Sequence, residues 1–262
     1  MEIMNTTRPI SYLRLGTLLW CGLLVSYAHG IAIVNFETKP DGNAPIDDTP
    51  LGTSDAYTLD NGVQMTFGID NTSDFVADTA AYFEQIGANG DDGFSGFPTN
   101  SSEIDTAAPG YEAQLGTFFL RAPNHFLDVD APLGLRIDFD APDGYVVTQF
   151  SGEVWDIDGG TNYEEWIVIA FNSANSIIGL LNSPQGDDDA LNQKPWDFEL
   201  SVREGFDHIL IHYIGARRMG IGQGFNNFTA SINRIPEPTS ATLFALGFLL
   251  PAGLGSFQQR RP

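Results

Sequence analysis

Between residues 31 and 234, hydrophobic and polar positions alternate in short runs separated by clusters of Gly, Pro, Asn and Asp. Side chains of an extended strand point alternately to its two faces, so this period of two predicts half-buried strands. Ten are expected, over residues 31–36, 63–69, 117–120, 135–139, 145–154, 166–171, 176–181, 198–202, 208–213 and 225–232. They are rich in β-branched and aromatic residues, and turn sequences such as Pro142-Asp143-Gly144 punctuate them. A helical period is confined to the two termini and to residues 79–86. Many short strands at this spacing predict an all-β fold, a two-sheet β-sandwich of jelly-roll type. One interval, 87–114, has few aliphatic residues and reads as a long loop, in which Phe94 and Phe97 keep a binding role open.

The ends follow another pattern. Arg8 and Arg14 precede an apolar run over residues 15–25, and Ser26-Tyr27-Ala28 places small residues where a signal peptidase reads them. Residues 1–30 are therefore expected to form a signal helix that is cleaved after Ala28 or Gly30. Residues 239–257 carry no charge and show no polar face. As a helix they would span roughly 28 Å, about the thickness of a hydrocarbon core. This predicts a single transmembrane helix, with Arg260 and Arg261 on the cytoplasmic side. The expected plan is a signal peptide 1–30, a sandwich domain 31–234 and a C-terminal sorting segment 235–262.

Just before that helix stands Ile235-Pro236-Glu237-Pro238. A Pro-Glu-Pro mark, an uncharged span and a terminal arginine pair, in that order, resemble the PEP-CTERM sorting signal of exported bacterial proteins. The resemblance implies sorting and processing at Pro236, Glu237, Pro238, Arg260 and Arg261. It implies signal peptidase and an exosortase-type transpeptidase as partners during export, with the C-terminal helix held transiently in the inner membrane. The body would then reach the cell surface or extracellular matrix, where extracellular polysaccharide is the expected partner.

Charge and cysteine content agree with that address. The chain holds 34 acidic and 12 basic residues, a net charge of −22, and within 31–235 the ratio is 32 to 8. Such a surface repels a phosphate backbone, which excludes a nucleic-acid role, and it offers oxygen ligands for hard cations. The single cysteine, Cys21, lies in the signal segment. The mature chain would form no disulfide, leaving its stability to a packed core or a bound metal.

Candidate chemistry concentrates in residues 150–166. On a regular strand Glu153, Trp155 and Ile157 share one face, while Val154, Asp156 and Asp158 share the other. Asp156 and Asp158 could both reach one calcium with Asn162 or Glu164, the alternative being a hydrogen-bonded acidic turn. Trp155, Tyr163, Trp166 and Trp196 are candidates for a sugar-stacking platform, with the core as the alternative place for Trp155 and Trp166. A second calcium set rests on resemblance. Asn35-Phe36-Glu37 and Gly224-Phe225-Asn226-Asn227-Phe228 are similar to the first and last strands of calcium-containing carbohydrate-binding jelly rolls. That likeness implies Glu37, Asp41 and Asn226 around a structural ion, although an aspartate would be a better ligand than Asn226.

Catalysis is less well supported. A glycoside hydrolase needs paired carboxyl groups, but the odd separation of Glu153 and Asp156 sends them to opposite strand faces. His208 and His212 would stand ~13 Å apart on a strand, too far to share a metal. No Gly-x-Ser-x-Gly motif is present, and no catalytic residue is assigned. The sequence thus predicts an exported, non-catalytic sandwich that binds or is embedded in extracellular polysaccharide, with structural calcium as the one cofactor. The alternatives are a secreted glycoside hydrolase-like enzyme and a purely structural surface protein.

Overall fold

The computed structural model describes residues 32–72, 74–87, 107–123, 127–128, 134–157, 161–186, 191–221 and 223–235. The signal segment 1–30, the tail from Pro236 through Glu237, Pro238, Arg260 and Arg261, and Asp158, Phe94 and Phe97 lie outside these residues.

The chain is all-β. In order it forms β1 (Pro50–Leu51), β2 (Tyr57–Thr58), β3 (Gln64–Asp70), β4 (Ala81–Gln85), a one-turn helix α1 (Glu112–Leu115) and β5 (Phe118–Arg121). β6 (Leu127–Asp128), β7 (Gly134–Asp140), β8 (Tyr145–Ile157), β9 (Trp166–Phe171) and β10 (Ile177–Asn182) follow. β11 (Leu191–Phe206), β12 (His208–Tyr213), β13 (Met219–Ile221) and β14 (Gly224–Arg234) complete the domain. Two six-stranded sheets face one another: β1-β4-β5-β14-β8-β11 and β10-β9-β12-β7-β3-β2. Every pairing is antiparallel, and β6 pairs with β13 as a small separate ribbon.

Alternation explains why the strands close on one core. Met65, Phe67 and Ile69 of β3 point inward, as do Phe150 and Val154 of β8. Phe67 stacks on Phe228 at 5.6 Å between centroids, Phe228 on Phe150 at 5.5 Å, and Phe36 meets Phe67 edge-on at 5.3 Å. Each such ring contributes about 1.5–3 kcal/mol by leaving water. Gly152 faces this pile, and a Cβ there would overlap the Phe228 ring. That close approach is why glycine interrupts an otherwise bulky strand.

Three local expectations are corrected. Of the expected strand 31–36, the described residues 32–36 make an isolated bridge, Val34 to Phe228, in place of a strand. Phe36 adopts φ 58°, which ends the extended run and drops its ring into the core. Residues 79–86 contain β4 rather than a helix, because Tyr82, Phe83, Glu84 and Gln85 pair with β5. A short apolar run fits either period, and the partner strand decides. The end of the expected loop 87–114 folds as α1, which lies over the outer face of the first sheet and packs Leu115 against Trp155 and Phe119.

Candidate functional site

The outer face of the first sheet gathers four polar side chains, Glu153 among them. β8 supplies Glu153, and Asp197 stands directly across on β11. On the other side β14 places Asn226 in register with Glu153, and the pairing then slips between Asn226 and Thr229. Asn227 takes φ 55° within this bulge. Asparagine tolerates that left-handed geometry better than most residues, and the bulge re-aims its side chain at Glu153. The fourth group, Gln114, is lowered from α1. Asn227 Nδ2 donates to the Gln114 carbonyl at 2.8 Å, Asn226 Nδ2 to the Leu115 carbonyl at 2.6 Å, and Glu37 accepts from the Thr117 and Phe118 amides.

The resulting bonds converge on one carboxyl group. Gln114 Nε2 lies 2.9 Å from Glu153 Oε1 and 3.0 Å from an Asp197 oxygen. Asn227 Nδ2 lies 2.9 Å from each Glu153 oxygen, and Trp155 Nε1 donates to Oε2 at 2.8 Å. Glu153 is only 6% exposed. Burial pushes its pKa up despite donors from Gln114, Asn227 and Trp155, and the neighbouring Asp197 charge adds to the rise. Gln114, Glu153, Asp197 and Asn227 line a cleft of about 380 Å³ whose apolar wall includes Ile33 and Ala113. It can exchange paired hydrogen bonds with a hydroxyl-rich ligand while covering part of that ligand's C–H surface.

The contrast with the other buried glutamates marks this site. Three glutamates are buried among the described residues: Glu84, Glu153 and Glu164. Glu84 is ion-paired to Arg121, which also binds Asp48, and Glu164 to Arg217 at 3.0 Å. Glu153 has neutral donors and an acidic neighbour in place of a cation. A buried carboxyl group without a counter-charge costs stability, a common feature of functional positions.

The expected site residues are dispersed. Trp155 is fully buried beneath α1, and Trp166 lies in the core at 5.4 Å from both Tyr213 and Phe225. Trp196 is half-buried and leans on Phe198 at 5.3 Å, while Tyr163 sits half-buried in the loop before β9. The four aromatics do not form one exposed platform. Regular alternation also fails near Asp156, which has φ 66° opposite Gln193 with φ 55°. The Gln193 amide donates to Asp156 Oδ1 at 2.9 Å, and this double irregularity turns Ile157 into the core with Val154 rather than outward with Trp155. The sequence reading missed Asp197, Gln114 and Asn227, which meet Glu153 only through strand register and the seating of α1.

The expected calcium ligands among the described residues bond to protein groups. Glu37 holds the turn after α1, Asn226 is buried against Leu115 and Asn227, and Glu164 is paired with Arg217. Asp41 binds the backbone and side chain of Asn43, bonds that lower its pKa in that order. Among the described residues, two other acidic triplets have ligand atoms within 4.8 Å of one another. In Asp47-Asp48-Glu84, the Arg121 guanidinium already supplies positive charge to Asp48 and Glu84. In Asp70-Asp74-Asp78, all three carboxylates accept loop donors, including the Thr72, Phe75, Asn71 and Val76 amides.

A larger cleft, about 590 Å³, opens between Tyr145, Phe139 and Phe206, with Asp140, Glu204 and Asp207 exposed around it. None of the buried polar side chains among the described residues lines it, so the smaller cleft has the more organised chemistry. A scan against protein-family models finds no match, and a search of curated proteins finds no relative.

Proposed function

We propose that the chain is an exported, non-catalytic β-sandwich of jelly-roll type that binds extracellular polysaccharide in the cleft above Glu153. The jelly-roll reading is supported by the chain path, which crosses between sheets from β7 to β8, β8 to β9, β10 to β11 and β11 to β12. Export, processing at Pro236-Glu237-Pro238 and delivery to the cell surface or matrix rest on the two terminal sequence patterns. The observation that carries the binding reading is the buried Glu153 carboxyl group, held by amide donors beside Asp197 at the foot of an open cleft.

The chemistry of the cleft narrows the ligand. Two carboxyl groups accept hydrogen bonds from sugar hydroxyls or amines, whereas uronate and sulfate groups would meet like charge. The expected class is therefore neutral or amino-sugar polysaccharide. Hydrogen bonds and the apolar Ile33 wall provide recognition in this cleft. Affinity electrophoresis through neutral, amino and acidic polysaccharides tests this directly. Retardation in the first two, abolished by Asp197→Ala, is expected; equal mobility in every gel removes the binding function. Structural calcium belongs to the same sequence-based reading and has a separate test, because an ion bound at 100 times its Kd would add about 2.7 kcal/mol. A melting midpoint unchanged by chelator removes the ion and leaves the sugar reading intact.

The Glu153–Asp197 pairing favours a second reading, glycoside hydrolysis. Both carboxyl groups bond to one amide nitrogen, so their oxygens lie under about 6 Å apart, against ~5–5.5 Å between the carboxyl groups of retaining enzymes. Asp197 thereby replaces Asp156 as the partner to test. Release of reducing sugar that disappears in Glu153→Gln and Asp197→Asn would establish hydrolysis in place of simple binding.

A further inference from the structure

A carboxylate offers about four acceptor sites, and a side-chain amide nitrogen carries two hydrogens. Asn227 gives one of its two to the Gln114 carbonyl at 2.8 Å, and Gln114 divides its pair between Glu153 and Asp197. With the Trp155 indole, three hydrogens reach Glu153 and one reaches Asp197 among the described residues. Acceptor capacity is therefore left over on two acids that stand side by side. Both line the same cleft.

Negative charge is left over as well. Buried Glu84 and Glu164 each meet a guanidinium, whereas no Lys, Arg or His among the described residues lines the cleft above Glu153. Glu199, two residues beyond Asp197 and so on the same face of β11, adds a third acid across from Ser151. The half-buried Ser151 and Thr229 are cross-strand neighbours on β8 and β14, and their hydroxyls border the acids in the cleft wall.

We propose that the polysaccharide taken by this cleft carries free primary amines, as a de-N-acetylated glucosamine polymer does, with an ammonium group seated between Glu153 and Asp197. The inference rests on the polysaccharide reading and narrows it from neutral or amino sugars to the latter. Gln114 Nε2 shows that one nitrogen can bridge both carboxyl groups, at 2.9 and 3.0 Å. An ammonium adds three hydrogens and the positive charge that arginine gives to the other buried glutamates. The Ser151 and Thr229 hydroxyls suit an amine with sugar hydroxyls around it better than a lysine side chain, which has none. N-acetylation would remove the charge and add bulk at that nitrogen, so the acetylated sugar is disfavoured. Proton release follows from the same geometry. Of the groups facing Glu153, Asp197 of β11 titrates, while Gln114 of α1, Asn227 of β14 and Trp155 of β8 are neutral. Burial holds the proton on Glu153 and an ammonium favours the ionised form, so affinity should rise with pH as Glu153 ionises.

Isothermal titration of the full chain in non-ionic detergent, with an oligomer of glucosamine and with the same oligomer fully N-acetylated, tests the proposal. At pH 7 the amino oligomer should bind at least about 10-fold more tightly. Asp197→Asn should shrink that preference below about 3-fold. Glu204→Gln, which removes the same charge beside the larger cleft, should leave it in place. From pH 5 to pH 7 affinity for the amino oligomer should rise in wild type and stay flat in Glu153→Gln. A preference that survives both Asp197→Asn and Glu153→Gln puts the amine elsewhere and overturns the proposal. Equal affinity for the two oligomers overturns it too but leaves the polysaccharide reading standing, whereas binding of neither removes both. Oligolysine of equal charge bound as tightly as the amino oligomer would mean attraction to a chain of net charge −22 in place of sugar recognition, and would also overturn it.

Discussion

Glu84 and Glu153 sit in the same sheet, on β4 and β8, and both are removed from water, yet their surroundings differ in kind. Glu84 faces the guanidinium of Arg121, whose other nitrogens hold Asp48 and the carbonyls of Ala122 and Pro123. Glu153 faces two amides, an indole and a second acid. The first arrangement closes a structural corner, because charge is balanced where water is absent. The second leaves an incompletely balanced carboxyl group beside an open cleft, a place where a ligand can complete the hydrogen bonding. Burial of an acid therefore says little by itself; the identity of its partners separates a structural acid from a candidate functional one.

The largest test of this contrast is Arg121→Ala. Removing Arg121 leaves the buried Glu84 uncompensated, and a loss of about 3–5 kcal/mol is expected in urea unfolding at neutral pH. A loss below about 1 kcal/mol, the usual size for an exposed pair, would erase the distinction between the two glutamates. Next comes Asn227→Gly, which keeps the left-handed backbone while deleting the donor to Glu153. It should cost about 1–3 kcal/mol at pH 7. Equal stability of variant and wild type would mean that Asn227 does not support the carboxylate.

The smallest effect, and the most diagnostic, is expected for Glu153→Gln. Because burial raises its pKa, native Glu153 keeps its proton at pH values where the unfolded chain has released it. Its contribution is fully present below the ordinary glutamate value, about 4.3, and is lost as pH rises through the raised native value. Wild type should therefore lose stability relative to Glu153→Gln on going from pH 4 to pH 7. Denaturation curves of the two proteins that stay parallel over that range would contradict the raised value. The same comparison made with Glu84→Gln in place of Glu153→Gln should instead lose a charge partner of Arg121 and destabilise the fold at neutral pH.

Much of the fold was legible because alternation is written locally. Residues 135–139, 145–154, 166–171 and 208–213 announce β7, β8, β9 and β12 through their β-branched and aromatic residues. The failures have local physical causes. Phe36 and Asp156 leave the extended region with positive φ, and neither residue type signals this as glycine would. The 79–86 run became a strand because β5 was available to pair with it. The aromatic platform dissolved for another reason: Trp155 and Trp166 are large apolar surfaces, and covering them offers more than leaving them exposed.

By itself the sequence determined the all-β class and most of the alternating strands that close on the core, since both follow from residue type and a period of two. The tertiary structure alone decided which groups Glu153 would meet. Asp197 arrives through the register of β11, Asn227 through a one-residue slip in β14, and Gln114 through a single helical turn pinned by Asn226 and Glu37. These contacts join residues 39 to 83 positions apart, as between Gln114 and Glu153 or Asp197. Pairing register is set by the whole sheet closing over its core rather than by neighbours in the chain, and a slip of one residue exchanges the two faces of a strand.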